Sequence, residues 1–231
     1  MMTIIEVDGV NHEQLRVDSI HIFAGQRYSV VVKANQPVSN YWVRAKPNIG
    51  PTTFGGGLNS AILHYKGADM KDPQSISILS NPLNETDLCP LDNPGAPGGC
   101  DPADISYYLD IQFVKGKNMY TVNDVVFIPP TVPVLLQILS GAQSAKDILP
   151  EGSVYTIQPN KTVELIISGG VAGSPHPFHL HGHKFDVIRS AGSTAYDYKN
   201  PVRRDVVNTG VDGDNVTIRF KTDNPGPWFL H

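Results

Sequence analysis

Four histidines fall within one eight-residue segment, His176-Pro177-Phe178-His179-Leu180-His181-Gly182-His183. Neutral imidazole is a borderline ligand suited to copper and zinc, and divalent copper binds such donors most tightly among the first-row metals. In an extended segment, side chains at i and i+2 share a face. His179 and His181 are therefore expected to point the same way. His176 lies three residues before His179 with a proline between, and is expected to face elsewhere. One segment can then serve two metal centres, with Phe178 and Leu180 packing around the rings. A surface cluster or an expression tag would lack the interleaved proline, phenylalanine and leucine. His183 follows Gly182, which can redirect the chain, and is expected to support a ligand or to face solvent. His12, His21 and His64 are isolated and read as ordinary core or surface histidines.

The elements that must position these rings read as strands. Ser29 to Ala34, Tyr41 to Ala45 and Ala61 to Tyr65 are short β-branched or aromatic runs bounded by Gly, Pro and Asn. A second set comprises Tyr107 to Val114, Thr162 to Ser168, Phe185 to Arg189 and Asn215 to Phe220. Many short strands separated by turn signals imply an all-β sandwich or barrel. The one helix candidate is Val134 to Leu139, opened by Pro133. A stretch rich in Pro, Gly, Asn and Asp over 81–104 suggests a connection between a first block, 1–80, and a second, 105–231. Arg203-Arg204-Asp205 is expected to form a structural ion pair or a solvated turn.

Composition narrows the function classes. The 231 residues are 40% hydrophobic and 17% charged, with 21 Gly and 19 Pro, which suits a loop-rich β protein. A net charge of -4 provides no electrostatic footprint for nucleic acid or an anionic membrane. No apolar run approaches the roughly 18 residues of a membrane-spanning helix. The N-terminus has neither the basic nor the apolar region of a signal peptide. Sequons at Asn84, Asn160 and Asn215 carry meaning only in a secreted protein, so a further N-terminal part is expected. Cys89 and Cys100, the two cysteines, are open to a local disulfide contributing ~2–3 kcal/mol or to remaining unpaired. Their surroundings do not suggest a metal site.

The segment His176 to His183 resembles the HPFHLHGH motif of the multicopper oxidases. Asn224-Pro225-Gly226-Pro227-Trp228-Phe229-Leu230-His231 is similar to the run leading into that family's His-Cys-His segment. Arg189 to Ser193, Arg204 to Val207, Pro129 to Gly141 and Asp8 to Asn11 resemble fungal laccases, so the likeness covers nearly the whole chain. It implies cupredoxin-like Greek-key barrels, with the later part of a second domain and most of a third. It assigns His176 to a mononuclear type 1 copper, His179 to a type 2 copper, and His181 and His231 to a type 3 pair. It also implies phenolic or aromatic amine substrates, dioxygen as the oxidant, a secreted location and a monomeric full-length form. Asn48, Ile49, Phe127 and Ala172 would stand on loops around the phenol. The type 1 thiolate and further copper ligands would lie outside these residues, so the chain alone is expected to be inactive. The other readings are a non-catalytic copper- or zinc-binding β-sandwich and an oxidase acting on metal ions.

Overall fold

The computed structural model describes residues 1–48, 50–74, 76, 79–141, 144–173 and 175–231. In chain order the strands are β1 (Met2–Val7), β2 (Val10–Val17), β3 (Tyr28–Val32), β4 (Asn40–Arg44), β5 (Ser60–His64), β6 (Ile105–Leu109) and β7 (Ile111–Val114). They continue with β8 (Met119–Val122), β9 (Thr162–Ser168), β10 (Pro177–His179), β11 (Phe185–Arg189), β12 (Val202–Arg204), β13 (Val206–Asn208) and β14 (Asn215–Lys221). The helix α1 (Val134–Leu139) follows Pro133, where the sequence places it. No helix is long and apolar enough to cross a membrane among these residues. The architecture is all-β and cupredoxin-like, as expected.

Two sheets carry most of the core. The first has the order β2-β1-β3, and the second β12-β11-β14-β9-β6, with β6 parallel to β9 and the other pairs antiparallel. The turn joining β1 to β2 is Asp8-Gly9, both with positive φ (49° and 83°), the Asp-Gly pattern of a tight hairpin. In β9 the buried residues alternate as Val163, Leu165 and Ile167. In β11 and β14 nearly every residue is buried, because both strands are central and covered on both faces. Ile4, Val7, Val17, Leu88, Leu109, Phe185, Val207 and Ile218 belong to one apolar cluster that joins the two sheets.

Two departures from the sequence pattern have local causes. The run Tyr107 to Val114 breaks at Asp110, since Asn123 Oδ1 takes the Asp110 N–H (2.8 Å) and Ser168 Oγ takes the Ile111 N–H (2.8 Å). The chain thereby leaves β9 and pairs with β8. Strands β10, β12 and β13 are three residues each, too short to show a period. Residues 81–104 lie against β2 through Leu91 N–H to Asn11 O (2.9 Å), against the residues just after β2 through Leu83 N–H to Ser19 O (2.9 Å), and against the later loop through Ala96 N–H to Tyr198 O (2.9 Å). Cys89 and Cys100 are unbridged.

The triplet Arg203-Arg204-Asp205 forms ion pairs, and its middle residue is fully buried. Arg204 Nε donates to Asp8 Oδ2 (2.9 Å), and Nη1 donates to Glu85 Oε1 (2.6 Å) and Tyr28 OH (3.2 Å). Burial works against the charge on Arg204, but Glu85, Tyr28 and Asp8 together outweigh it and hold the guanidinium above its usual value. His12 lies close by, 1% exposed, with Nδ1 on Val10 O (2.9 Å). Burial pushes its pKa down against the Val10 bond, and the Arg204 charge adds to the push. Apolar side chains of α1 (Leu135, Leu136, Leu139) and of the β4–β5 pair (Val43, Ile62, Leu63) are exposed.

Removing one partner from a buried charge network leaves the others uncompensated, so Arg204→Met is expected to cost about 3–5 kcal/mol in urea unfolding. A loss below about 1 kcal/mol would show that the network contributes little to stability. The pH dependence of His12 has a definite sign. The unfolded chain takes up a proton near the ordinary histidine value of about 6.5, whereas the folded chain does so only at lower pH. Stability should therefore fall as pH drops below that value, and His12→Gln should flatten this part of the profile of melting temperature against pH. An equally steep profile in the variant would assign the effect to another group.

Candidate metal centre

Backbone pairing places the histidine segment between two neighbours. On one side β10 pairs antiparallel with β13, His179 opposite Val206. On the other, His179 N–H donates to His231 O (2.6 Å), His231 N–H to His179 O (3.0 Å) and His181 N–H to Phe229 O (2.8 Å). Strand alternation then sets the side chains: Leu180 turns into the core at 6% exposure, and the histidines on either side of it turn outward together. Ring centroids lie 4.6 Å apart for His179 and His181, 5.6 Å for His179 and His231, and 5.2 Å for His181 and His231.

The Nε2 atoms of His181 and His231 are 3.1 Å apart. Two imidazole nitrogens at about 2.0 Å from one ion, with a near-tetrahedral angle between them, would stand about 3.3 Å apart. The pair therefore has the separation of two donors to a common ion. Burial, with the nearby His181 and His179, holds His231 below the ordinary imidazole pKa, which favours the neutral, lone-pair-donating form. No group of three or more His, Cys, Asp or Glu side chains is placed to hold an ion among the described residues. The residues present thus fit part of a coordination shell, two convergent nitrogens with a third ring alongside.

Hydrogen bonds to carbonyls fix which nitrogen each ring can offer, because a carbonyl only accepts. His179 Nδ1 lies 2.8 Å from Asp205 O, so Nδ1 carries the proton and Nε2 keeps the lone pair. His176 Nε2 lies 3.0 Å from Ala172 O, so there the free nitrogen is Nδ1. His176 also stands away from the other three rings, edge-on to Tyr120 at 5.4 Å. Tyr120 OH donates to the same Ala172 carbonyl (2.8 Å). His183 packs against Phe220 and Trp228 with Nε2 buried, so it supports the segment rather than facing solvent.

The terminal segment is docked by Trp228, whose Nε1 donates to Asn224 O (2.8 Å), while Asn224 Nδ2 donates to Gly182 O (2.8 Å). Gly182 has φ 72°, and a side chain there would collide with the indole of Trp228. Asp205, Lys184, Trp228 and Tyr120 are site residues that sequence reasoning missed. The available signals were a charged Arg-Asp pair inside an apolar strand run and a glycine directly after a ligand-type histidine.

Of the expected substrate-loop residues, Ala172 adjoins His176 as described. Phe127 packs edge-on against Phe229 at 4.9 Å, and Phe229 in turn flanks His231 at 5.6 Å. Asn48 lies on the exposed loop between β4 and β5. Ile49 lies outside the described residues.

Two family models described as multicopper oxidase match this chain, over residues 1–68 and 127–231. Among curated proteins it is 60% identical to Laccase-5 of Trametes villosa and 60% identical to Laccase-1 of Pleurotus ostreatus. Each match covers 100% of this chain, but only 45% and 44% of the two relatives, so the chain spans a little under half their length. Among solved structures, Fet3p, a multicopper oxidase that functions in iron import, matches with a TM-score of 0.77 at 25% identity, over 100% of this chain and 48% of that one. The laccase of Botrytis aclada matches with a TM-score of 0.76 at 24% identity, over 100% of this chain and 44% of that one. This chain belongs to the multicopper oxidase family.

The Gly182–Trp228 contact tests the assembly of the site. Gly182→Ala adds a methyl group where the indole sits and strains a left-handed backbone, and should cost about 1–3 kcal/mol. The expected signature is a lowered urea midpoint together with changed Trp fluorescence. An unchanged midpoint and spectrum would mean that Trp228 does not hold the terminal segment in place.

Proposed function

We propose that this chain is part of a laccase, supplying ligands to two kinds of copper centre from opposite sides of one strand. In this reading residues 1–80 belong to one cupredoxin-like domain and 105–231 to the next, with 81–104 tying them together. His179, His181 and His231 serve an oxygen-reducing copper cluster, and His176 serves the copper that receives electrons from the substrate. The observation that carries the reading is the 3.1 Å separation of the His181 and His231 Nε2 atoms, with His176 turned away toward Ala172.

Bound copper would supply the one-electron redox steps that join oxidation of a phenol or aromatic amine to reduction of dioxygen to water. The chain's own part is to fix donors and to exclude alternatives. His179 presents Nε2 because Asp205 O holds its Nδ1–H, and His176 presents Nδ1 because Ala172 O holds its Nε2–H. Phe229 walls one side of the His181–His231 pair with apolar surface, and Phe127 packs against Phe229. Asn48, Ile49, Phe127 and Ala172 are the proposed substrate contacts. The 60% identity to fungal laccases supports this substrate class. Exposed Asn84 and Asn160, both in sequons, support a secreted glycoprotein, and the full-length form is proposed to be a monomer.

Copper titration of the 231-residue chain followed by electron paramagnetic resonance tests the ligand reading. Replacing His179 and His181 together by Ala should reduce the high-affinity uptake at least tenfold. Uptake equal to that of the unaltered chain would remove these histidines from the copper site.

A further inference from the structure

Asp205 is joined to the candidate centre by its backbone and to the first sheet by its side chain. Its carbonyl accepts from Leu180 N–H (3.1 Å) and lies 2.8 Å from His179 Nδ1. Its carboxylate is gripped by Arg27 through two nitrogens (2.6 and 3.0 Å) and by Lys184 Nζ (2.5 Å). Arg27 is itself anchored: its backbone N–H donates to Asp8 Oδ1 (2.7 Å), and Nη1 donates to Gly25 O (2.9 Å). Lys184 Nζ also donates to the Asp8 carbonyl. The hairpin turn at Asp8-Gly9 and the loop before β3 thus hold the strand edge that carries the acceptor for His179.

The carboxylate is a competing acceptor for the same ring. Asp205 Oδ1 lies 3.6 Å from His179 Nδ1, beyond hydrogen-bond reach but within one side-chain rotation of it. With both oxygens taken by Arg27 and Lys184, the carboxylate cannot turn to the imidazole, and the carbonyl remains the partner of Nδ1–H. Groups that orient a ligating histidine through its second nitrogen typically change metal affinity by about 10–100-fold when removed.

We propose that Arg27 and Lys184 are positioning residues for His179: by restraining the Asp205 carboxylate they keep Nδ1–H on the Asp205 carbonyl and so hold the ring in one orientation, with Nε2 directed at the metal. The copper part of this proposal rests on the ligand reading above, but the orientation of the ring does not. It assigns a role in the site to Arg27, a residue more than 140 positions earlier in the chain than His176, His179, His181 or His231.

The test uses the metal-free 231-residue chain labelled with 15N at histidine, because a purely structural ion cluster would leave the acceptor of His179 Nδ1–H unchanged. Long-range 1H–15N correlation should show His179 as a single species protonated at Nδ1. Arg27→Ala and Lys184→Met should each keep the proton on Nδ1 but move its resonance downfield, as the charged carboxylate replaces the carbonyl as acceptor, and should weaken copper binding about tenfold; Arg27→Lys should recover part of both. The Arg27 side chain is 49% exposed, and urea midpoints check that each variant remains folded. If one variant unfolds, the other decides the question. An Nδ1–H resonance left unmoved in a folded Arg27→Ala or Lys184→Met chain overturns the proposal. His179→Ala separates the two ideas: if it leaves copper uptake intact while Arg27→Ala still moves the His179 Nδ1–H resonance, the ligand reading fails and the positioning role stands.

Discussion

The arrangement depends on one buried electrostatic junction, where Asp8 at the tip of the first hairpin meets Arg204 at the end of β12. Both side chains are inaccessible to water. An isolated charge in that environment would be prohibitively costly, so each must be met by a partner from a distant part of the chain. Asp8 accepts from Arg204 Nε, from Arg27 N–H and from Val206 N–H (3.3 Å), and Glu85 completes the shell of Arg204. The same junction therefore fixes three things: the docking of the first sheet, the path of residues 81–104, and the start of β13.

The histidine segment inherits its geometry from that strand. Because β10 pairs with β13, a one-residue slip of the histidine segment against β13 would exchange the faces of Leu180 and its flanking histidines. The apolar cluster opposes such a shift, since Leu180 and Val207 both belong to it. The terminal segment closes the other side through reciprocal hydrogen bonds between His179 and His231. Donor convergence is thus a result of pairing on both edges rather than of the histidine segment alone.

The two faces of this strand carry different environments. Around His179, His181 and His231 the chain supplies neighbouring imidazoles and the apolar ring of Phe229. Around His176 it supplies a phenol, Tyr120, and the carbonyl of Ala172. Opposite ring nitrogens are left free on the two sides, Nε2 on His179 and Nδ1 on His176, so one eight-residue motif presents two distinct kinds of donor.

Much of this was already legible in the sequence, because its cause is local. Alternation along an extended chain separates His176 from His179 and His181, and β-branched runs mark β9, β11 and β14 at nearly their observed limits. Pro133 sets the start of α1, the single α-helix among the described residues. The break at Asp110 was not legible, since it depends on Asn123 and Ser168 competing for two N–H groups. Neither were the roles of Asp205, Arg27 and Lys184. A charge pattern can announce an ion pair, but which carboxylate meets which cation, and whether either reaches an imidazole, is decided only when segments separated by well over a hundred residues share one buried volume. The residue types and their spacing determined the chemistry on offer; tertiary packing alone decided where the donors point, because orientation is set by partners that are remote in sequence.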